Sequence, residues 1–213
     1  MTDEHHHGHE HPHRHPPQTD HREPETHYEW MGMALNDLFI EKGLYTAGEL
    51  RETIAEVEAV EPSTHGARVV ARAWVDSESR IRLLRDANTA VEEMGFDSAA
   101  TDLTVLENTP QVHNVVVCTL CSCYPRTLLG RPPAWYKSGS YRARTVREPR
   151  VVLSEFGTEI AADVEVRVHD STAELRYLVL PLRPSGTEAY EQQQLAALVT
   201  RDSMIGVGLA NHP

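Results

Sequence analysis

Residues 117–125, Val-Cys-Thr-Leu-Cys-Ser-Cys-Tyr-Pro (VCTLCSCYP), contain every cysteine of the chain: Cys118, Cys121 and Cys123. A structural zinc site wants four ligands, usually two separated pairs or a pair with histidines. The histidines outside the N-terminal tract are His65, His113, His169 and His212, none at a typical zinc spacing. A redox dithiol would not need the third sulfur. Buried inert thiols are the plain alternative, but three within six residues beside a Tyr-Pro turn argue against it. If all three sulfurs face one metal, the chain must curl tightly enough to bring the backbone amides of Ser122 and Cys123 near it. Deprotonated amide nitrogens favour a compact trivalent ion. Three thiolates and two amides leave one position of an octahedron open, which separates a catalytic site from a structural one. Thiolates held there are exposed to oxidation to sulfenic and sulfinic acid.

Working outward, the 213-residue chain carries 32 acidic and 20 basic residues, a formal charge of −12. That sign argues against nucleic-acid binding, which needs a concentrated positive surface. No apolar run approaches the ~20 residues needed to cross a bilayer. The N-terminus has no apolar h-region and does not read as a secretory signal. Three clustered cysteines make a disulfide framework unexpected, so the cytoplasm is the expected location. Nine of the 13 histidines fall in residues 1–27, a tract with almost nothing apolar. It is expected to be a disordered tail, either solvated or gathering borderline metal ions.

Order is expected from Tyr28. Trp30, Ala34 and Leu38, with Met31 and Leu35, recur at helical spacing up to Gly43. Thr46 and Glu49 read as a capping box for a second helix carrying Leu50, Ile54 and Val57. The narrow apolar faces of both suggest an arm that packs on something else. Further helices are expected around 67–74 and 77–94. Strands follow at 103–108 and 113–118. A helical region from 140 to 156 is interrupted at Pro149, which can restart a helix at its first turn. Residues 164–170 and 175–184 look like a β-pair joined through 171–174. A helix over 187–200 and a last strand over 203–209 complete the reading. Strands and helices are grouped rather than alternating, which favours α+β. The expected organisation is a tail (1–27), a helical arm (28–75) and a metal-binding catalytic domain (76–213).

VVVCTLCSCYP, PPAWYKSGSYRARTVREPRVVLSEFGTEI and VEVRVHDSTAELRYLVLPLRPSGTE, preceded by GARVVARAWVD and VLENTPQVHNVVV, strongly resemble nitrile hydratase α subunits. The likeness runs collinearly from about Lys42 to residue 209. It implies a four-layered α-β-β-α domain with an N-terminal helical arm. It also implies a non-corrin cobalt(III), with iron(III) the less favoured metal, held in a claw. The implied ligands are the Cys118 thiolate, Cys121 as sulfinic acid, Cys123 as sulfenic acid, and the amides of Ser122 and Cys123. Thr119, where iron-type members tend to have serine, points to cobalt. The implied partner is a β-type subunit, in one chain or divided between two, whose arginines hold the oxidised cysteine oxygens. A metallochaperone or activator is a further expected partner.

A close relative, the thiocyanate hydrolase γ subunit, shares the claw. Arg126 stands where many nitrile hydratases have tryptophan, and the His-rich head also leans towards that relative. ENTPQVHNVVV and STAELRYLVLPLRPSGTEAY lean towards nitrile hydratases, including three-subunit enzymes of the toyocamycin nitrile hydratase kind. FDSAATD lacks a glutamine that some members carry before the loop. Nitrile hydration is therefore the leading expectation and thiocyanate hydrolysis the alternative. A metal storage or delivery protein is the alternative from another class. In the leading reading Cys121 and Cys123 are catalytic, Cys123 as nucleophile or base, and Tyr124, Arg126 and Trp135 line the pocket. The basic run Arg142, Arg144, Arg147 and Arg150 reads either as partner-binding or as a solvated helix face.

Overall fold

A computed structural model describes residues 26–50, 53, 64–98 and 101–213. Residues 1–25 of the expected tail 1–27, and the positions of Ile54 and Val57, lie outside the described residues, while Thr26 and His27 already belong to the first helix and its cap. Helix α1 (His27–Glu41) opens on a reciprocal capping box between Thr26 and Glu29. Gly43 follows its end at φ 66°, the left-handed conformation that suits glycine after a helix. The Thr46–Glu49 box also forms. No residue of α1 is buried, and Trp30, Met31, Met33, Leu35 and Leu38 are all exposed.

Next comes α2 (Thr64–Val75), within the stretch 28–75 expected to form the arm. Its Val69, Val70, Ala71 and Ala73 are buried in the core, each fully buried valine stabilising by about 1.5–3 kcal/mol. The single helix expected over 77–94 is two, α3 (Ser77–Arg85) and α4 (Ala87–Glu93). Asp86 divides them: its carboxylate accepts from Thr89 N, so it caps α4 instead of continuing α3.

Strands β1 (Asp102–Glu107) and β2 (Val112–Val117) are followed by four helices. These are α5 (Arg126–Leu129), α6 (Ala134–Lys137), α7 (Gly139–Arg147) and α8 (Pro149–Glu155), the last starting on Pro149 as expected. Strands β3 (Glu165–Asp170) and β4 (Leu175–Leu180) precede α9 (Gln192–Leu198) and α10 (Arg201–Ile205). β1 pairs with β4 and β2 with β3, both in parallel. Helices α3 and α4 lie against β1, and α7 and α8 against β2 and β3. With the β2 and β4 layers in contact between them, this is a four-layered α+β body.

The expected β3–β4 hairpin does not form. Ser171 N donates to Val117 O at 2.7 Å, still in the β2–β3 sheet, whereas Glu174 O accepts from Asp102 N at 2.8 Å in the other. The four residues between the strands therefore step from one sheet to the next. The β1–β2 connection does the same over a buried polar corner. There Asn108 Oδ1 accepts from Asn114 N at 2.8 Å. His113 Nε2 donates to Gly206 O at 2.7 Å, and Asn108 Nδ2 lies 3.3 Å from its other ring nitrogen. Burial holds the His113 pKa below its usual value.

The last strand expected over 203–209 is instead α10, capped by Thr200, whose side chain accepts from Ser203 N, and closed by Gly206 at φ 89°. Its residues are apolar because the helix is enclosed, and a short apolar run does not reveal its period. The helix expected over 187–200 is confined to α9. Among the described residues no helix is long and apolar enough to cross a membrane.

A Cβ at Gly206 would overlap the Asn114 carbonyl oxygen, whereas one at Gly157, also at positive φ, meets nothing within 4 Å. Gly157→Ala is expected to cost roughly 1–2 kcal/mol of unfolding free energy from backbone strain alone. Gly206→Ala should cost clearly more, because overlap adds to strain; denaturant titration of both variants checks the order.

Candidate metal centre

Cys118 is the first residue beyond β2, and Asp170 ends the neighbouring β3, opposite Val117 in the register. The loop thus leaves the carboxyl end of a parallel pair, where open α/β sheets commonly bind ligands. β2 is buried along nearly its whole length, so the point from which the loop departs is fixed. Asp170 then ties the loop's first turn: Thr119 N donates to Oδ1 at 2.8 Å and Thr119 Oγ1 to Oδ2 at 2.6 Å.

The turn folds the three sulfurs together. Cys121 Sγ lies 3.7 Å from Cys118 Sγ and 3.2 Å from Cys123 Sγ, and all three fall within 4.8 Å of one another. Cys118 and Cys123 are buried, and Cys121 is exposed. Cys121 N donates to Cys118 Sγ at 3.2 Å, and the N–H groups of Ser122 and Cys123 face the Cys121 sulfur. The Cys123 thiol and these amides hold the Cys121 pKa below the usual thiol range. Burial pushes Cys123 up to about 12, against the opposing positive charge of Arg176.

The donor set fits a metal: three sulfurs converge, and the N–H groups of Ser122 and Cys123 are turned towards one of them, Cys121. None of the histidines weighed as a fourth zinc ligand joins the cluster. His65 bonds Thr127 O and stacks on Phe96, and His169 Nε2 bonds Asn114 Oδ1. The arrangement therefore lacks the closed four-ligand shell of a structural zinc site.

The cluster opens into a cleft of ≈ 410 Å³ lined by Cys121, Ser122, Cys123, Tyr124 and Arg126. Trp135, expected in the pocket, is not in its lining. It packs edge-on against Tyr141 and Phe156, with ring centroids 4.9 and 4.7 Å away. Arg176, Ser98 and Thr101 also line the cleft and were not singled out from the sequence. Ser98 and Thr101 lie in FDSAATD, the stretch noted for lacking glutamine. The only available signal for Arg176 was a charged residue at the start of an otherwise apolar strand. Among the described residues the lining holds two guanidinium groups and no carboxylate.

Exposure and the direction of its pKa shift make Cys121 the most reactive thiol. Iodoacetamide on the metal-free chain is expected to label Cys121 first, with Cys118 slowest; peptide mass mapping checks the order. Labelling of Cys118 before Cys121 would contradict this arrangement of the loop.

The sequence model of the family described as "Nitrile hydratase, alpha chain" matches residues 26–208. The match starts upstream of Lys42 and so includes α1. The low-molecular weight cobalt-containing nitrile hydratase subunit alpha of Rhodococcus rhodochrous is 52% identical over 181 residues, covering 84% of this chain and 87% of its own. Thiocyanate hydrolase subunit gamma of Thiobacillus thioparus is 42% identical over 194 residues, covering 85% and 79%. A solved double mutant of the Fe-type nitrile hydratase of Comamonas testosteroni Ni1 superposes with a TM-score of 0.81 at 42% identity, over 87% of this chain and 91% of that one. The match over almost the whole described chain, together with the convergent sulfurs, makes this chain a member of the nitrile hydratase α-chain family.

Proposed function

We propose that the chain is the α-type subunit of a cobalt-dependent nitrile hydratase, converting a nitrile to its amide. The observation that carries this reading is the convergence of three sulfurs beside an open cleft, with Cys121 and Cys123 in its lining. Cys118, Cys121 and Cys123, with the amide nitrogens of Ser122 and Cys123, would hold the ion. A trivalent cobalt there would supply Lewis acidity towards a nitrile or a water molecule. Cobalt is favoured over iron by Thr119 and by cobalt-containing relatives such as that of Rhodococcus rhodochrous.

Within the chain, Cys123 as sulfenate is the nucleophile or base, because it is the one buried sulfur that also lines the cleft. Cys121 as sulfinate offers its oxygens to arginines of a partner. Tyr124 and Arg126 border the substrate space, and Trp135 acts at a distance by packing on Tyr136, whose hydroxyl bonds Cys123 O at 3.0 Å. The apolar side chains of α1 supply the surface for a β-type partner, whether one chain or two, and an activator or metallochaperone loads the metal. The cytoplasm, where unmodified thiols persist until loading, is the compartment that suits this assembly.

Thiocyanate hydrolysis to carbonyl sulfide and ammonia is the second reading. Arg126 and Arg176, with no carboxylate among the described lining residues, favour it, because that cleft would tolerate an anion. Storage or delivery of metal is the reading outside catalysis, and it predicts several labile divalent ions per chain.

The test is co-expression with the neighbouring partner genes in cobalt medium. Amide formation from aliphatic and heteroaromatic nitriles is measured beside carbonyl sulfide release from thiocyanate. Amide formation is expected to dominate, with one tightly held cobalt per chain. Cys123→Ala should lower it by at least about a hundredfold, the scale of a lost acid–base or nucleophilic group. Full activity in Cys123→Ala, or metal lost to a mild chelator, would overturn the reading.

A further inference from the structure

The outer side of the cysteine loop is gripped by one short stretch of chain. Tyr141 OH donates to Val116 O at 2.7 Å, Tyr136 OH to Cys123 O at 3.0 Å, and Arg142 Nη1 to Thr119 O and Leu120 O at 3.3 and 3.0 Å. All three donors lie on α6 and α7. Arg142 stands out among them because it holds two successive carbonyls in the middle of the loop. It belongs to the basic run that reads from sequence as a partner-binding or solvated face. Yet both hydrogen bonds of its side chain go to the loop, and its Nε is buried with no acceptor among the described residues. Although the residue is only half-buried, a guanidinium bonded to two loop carbonyls with its Nε buried is not a free surface charge.

A trans peptide is planar, and its C=O and N–H point in opposite directions. Drawing the Leu120 carbonyl outward therefore turns the Cys121 N–H inward. That N–H donates to Cys118 Sγ at 3.2 Å. We propose that Arg142 is a positioning residue for the metal loop: it fixes the Leu120–Cys121 peptide plane so that the Cys121 N–H bonds the Cys118 sulfur. The consequence for a bound ion rests on the metal reading above; the peptide orientation does not. An N–H···S bond withdraws electron density from a thiolate and weakens its donation, one of the ways outer groups tune a metal site. Arg142 thus sets the donor strength of Cys118 without touching the metal or the substrate.

Two readouts separate this role from a general contribution to folding, using Arg142→Met, which keeps length and loses every donor, and Arg142→Lys, whose ammonium can reach both carbonyls. In the metal-free full chain, the Cys121 amide is followed by ¹⁵N–¹H spectroscopy and hydrogen exchange. In Arg142→Met its exchange is expected to speed up at least about tenfold and its resonance to move, while core amides such as Val115 stay as they were; Arg142→Lys should restore it. In the cobalt-loaded complex, the sulfur-to-cobalt charge-transfer band of Arg142→Met should move to longer wavelength at equal cobalt content. An unchanged Cys121 amide in Arg142→Met would overturn the proposal. If Arg142→Met does not fold, Arg142→Gln, which keeps one donor, is read by the same criteria. A changed Cys121 amide in Arg142→Met, with no charge-transfer band in the wild-type complex, would contradict the metal reading and leave the peptide clamp standing.

Discussion

Holding three sulfurs within 4.8 Å of one another is the constraint on which the rest of this structure depends. A free six-residue loop would lose that arrangement to conformational entropy, since each ordered residue costs about 1–2 kcal/mol. The fold offsets the cost from both ends of the loop. At one end, β2 is buried between helices and the β1–β4 sheet, which explains its run of valines. At the other, the aromatic group of Tyr124, Tyr136, Tyr141 and Trp135 packs ring against ring. Burial raises the tyrosine pKa values well above their usual range, so the hydroxyls that reach the loop remain donors at any ordinary pH. Asp170 and Arg142 then fix the middle of the loop from opposite partners, a carboxylate taking its N–H and a guanidinium taking its carbonyls.

The same frame shapes the chemistry. The loop emerges at the carboxyl ends of β2 and β3, so one side of the sulfur cluster is enclosed and the other is open. Cys118 faces inward, Cys121 outward, and Cys123 sits buried at the cleft wall. Three identical side chains therefore meet three different environments, as the proposed division into thiolate, sulfinate and sulfenate requires. Arg126 and Arg176 give the cleft beside the cluster a positive lining. In α1, by contrast, apolar side chains find no cover within the described chain, which fits a subunit that works only in a larger assembly.

Much of the site was legible in the sequence because it is local. Cys118, Cys121 and Cys123 lie within six residues, and the cost of a missing fourth zinc ligand can be argued without coordinates. Helix α1, with Gly43 just past its end, and α8, which restarts at Pro149, were equally readable. What escaped the sequence is non-local. The strands flanking residues 171–174 have hairpin composition, yet they belong to different sheets, and only the partners of Ser171 N and Glu174 O reveal it. Arg176 reaches the cleft through the β1–β4 pairing, and Trp135 is turned away by Phe156, both consequences of tertiary packing. The run after Thr200 is apolar in any reading, and Gly206 at positive φ settles it as a helix end.

The central claim is that this loop binds one cobalt through its three sulfurs and the two amide nitrogens of Ser122 and Cys123. Cobalt K-edge X-ray absorption on the complex assembled with its partner subunits tests it most directly. The account predicts a trivalent edge with three sulfur and two nitrogen neighbours. A divalent edge with a tetrahedral shell, or with fewer than three sulfurs, would contradict it.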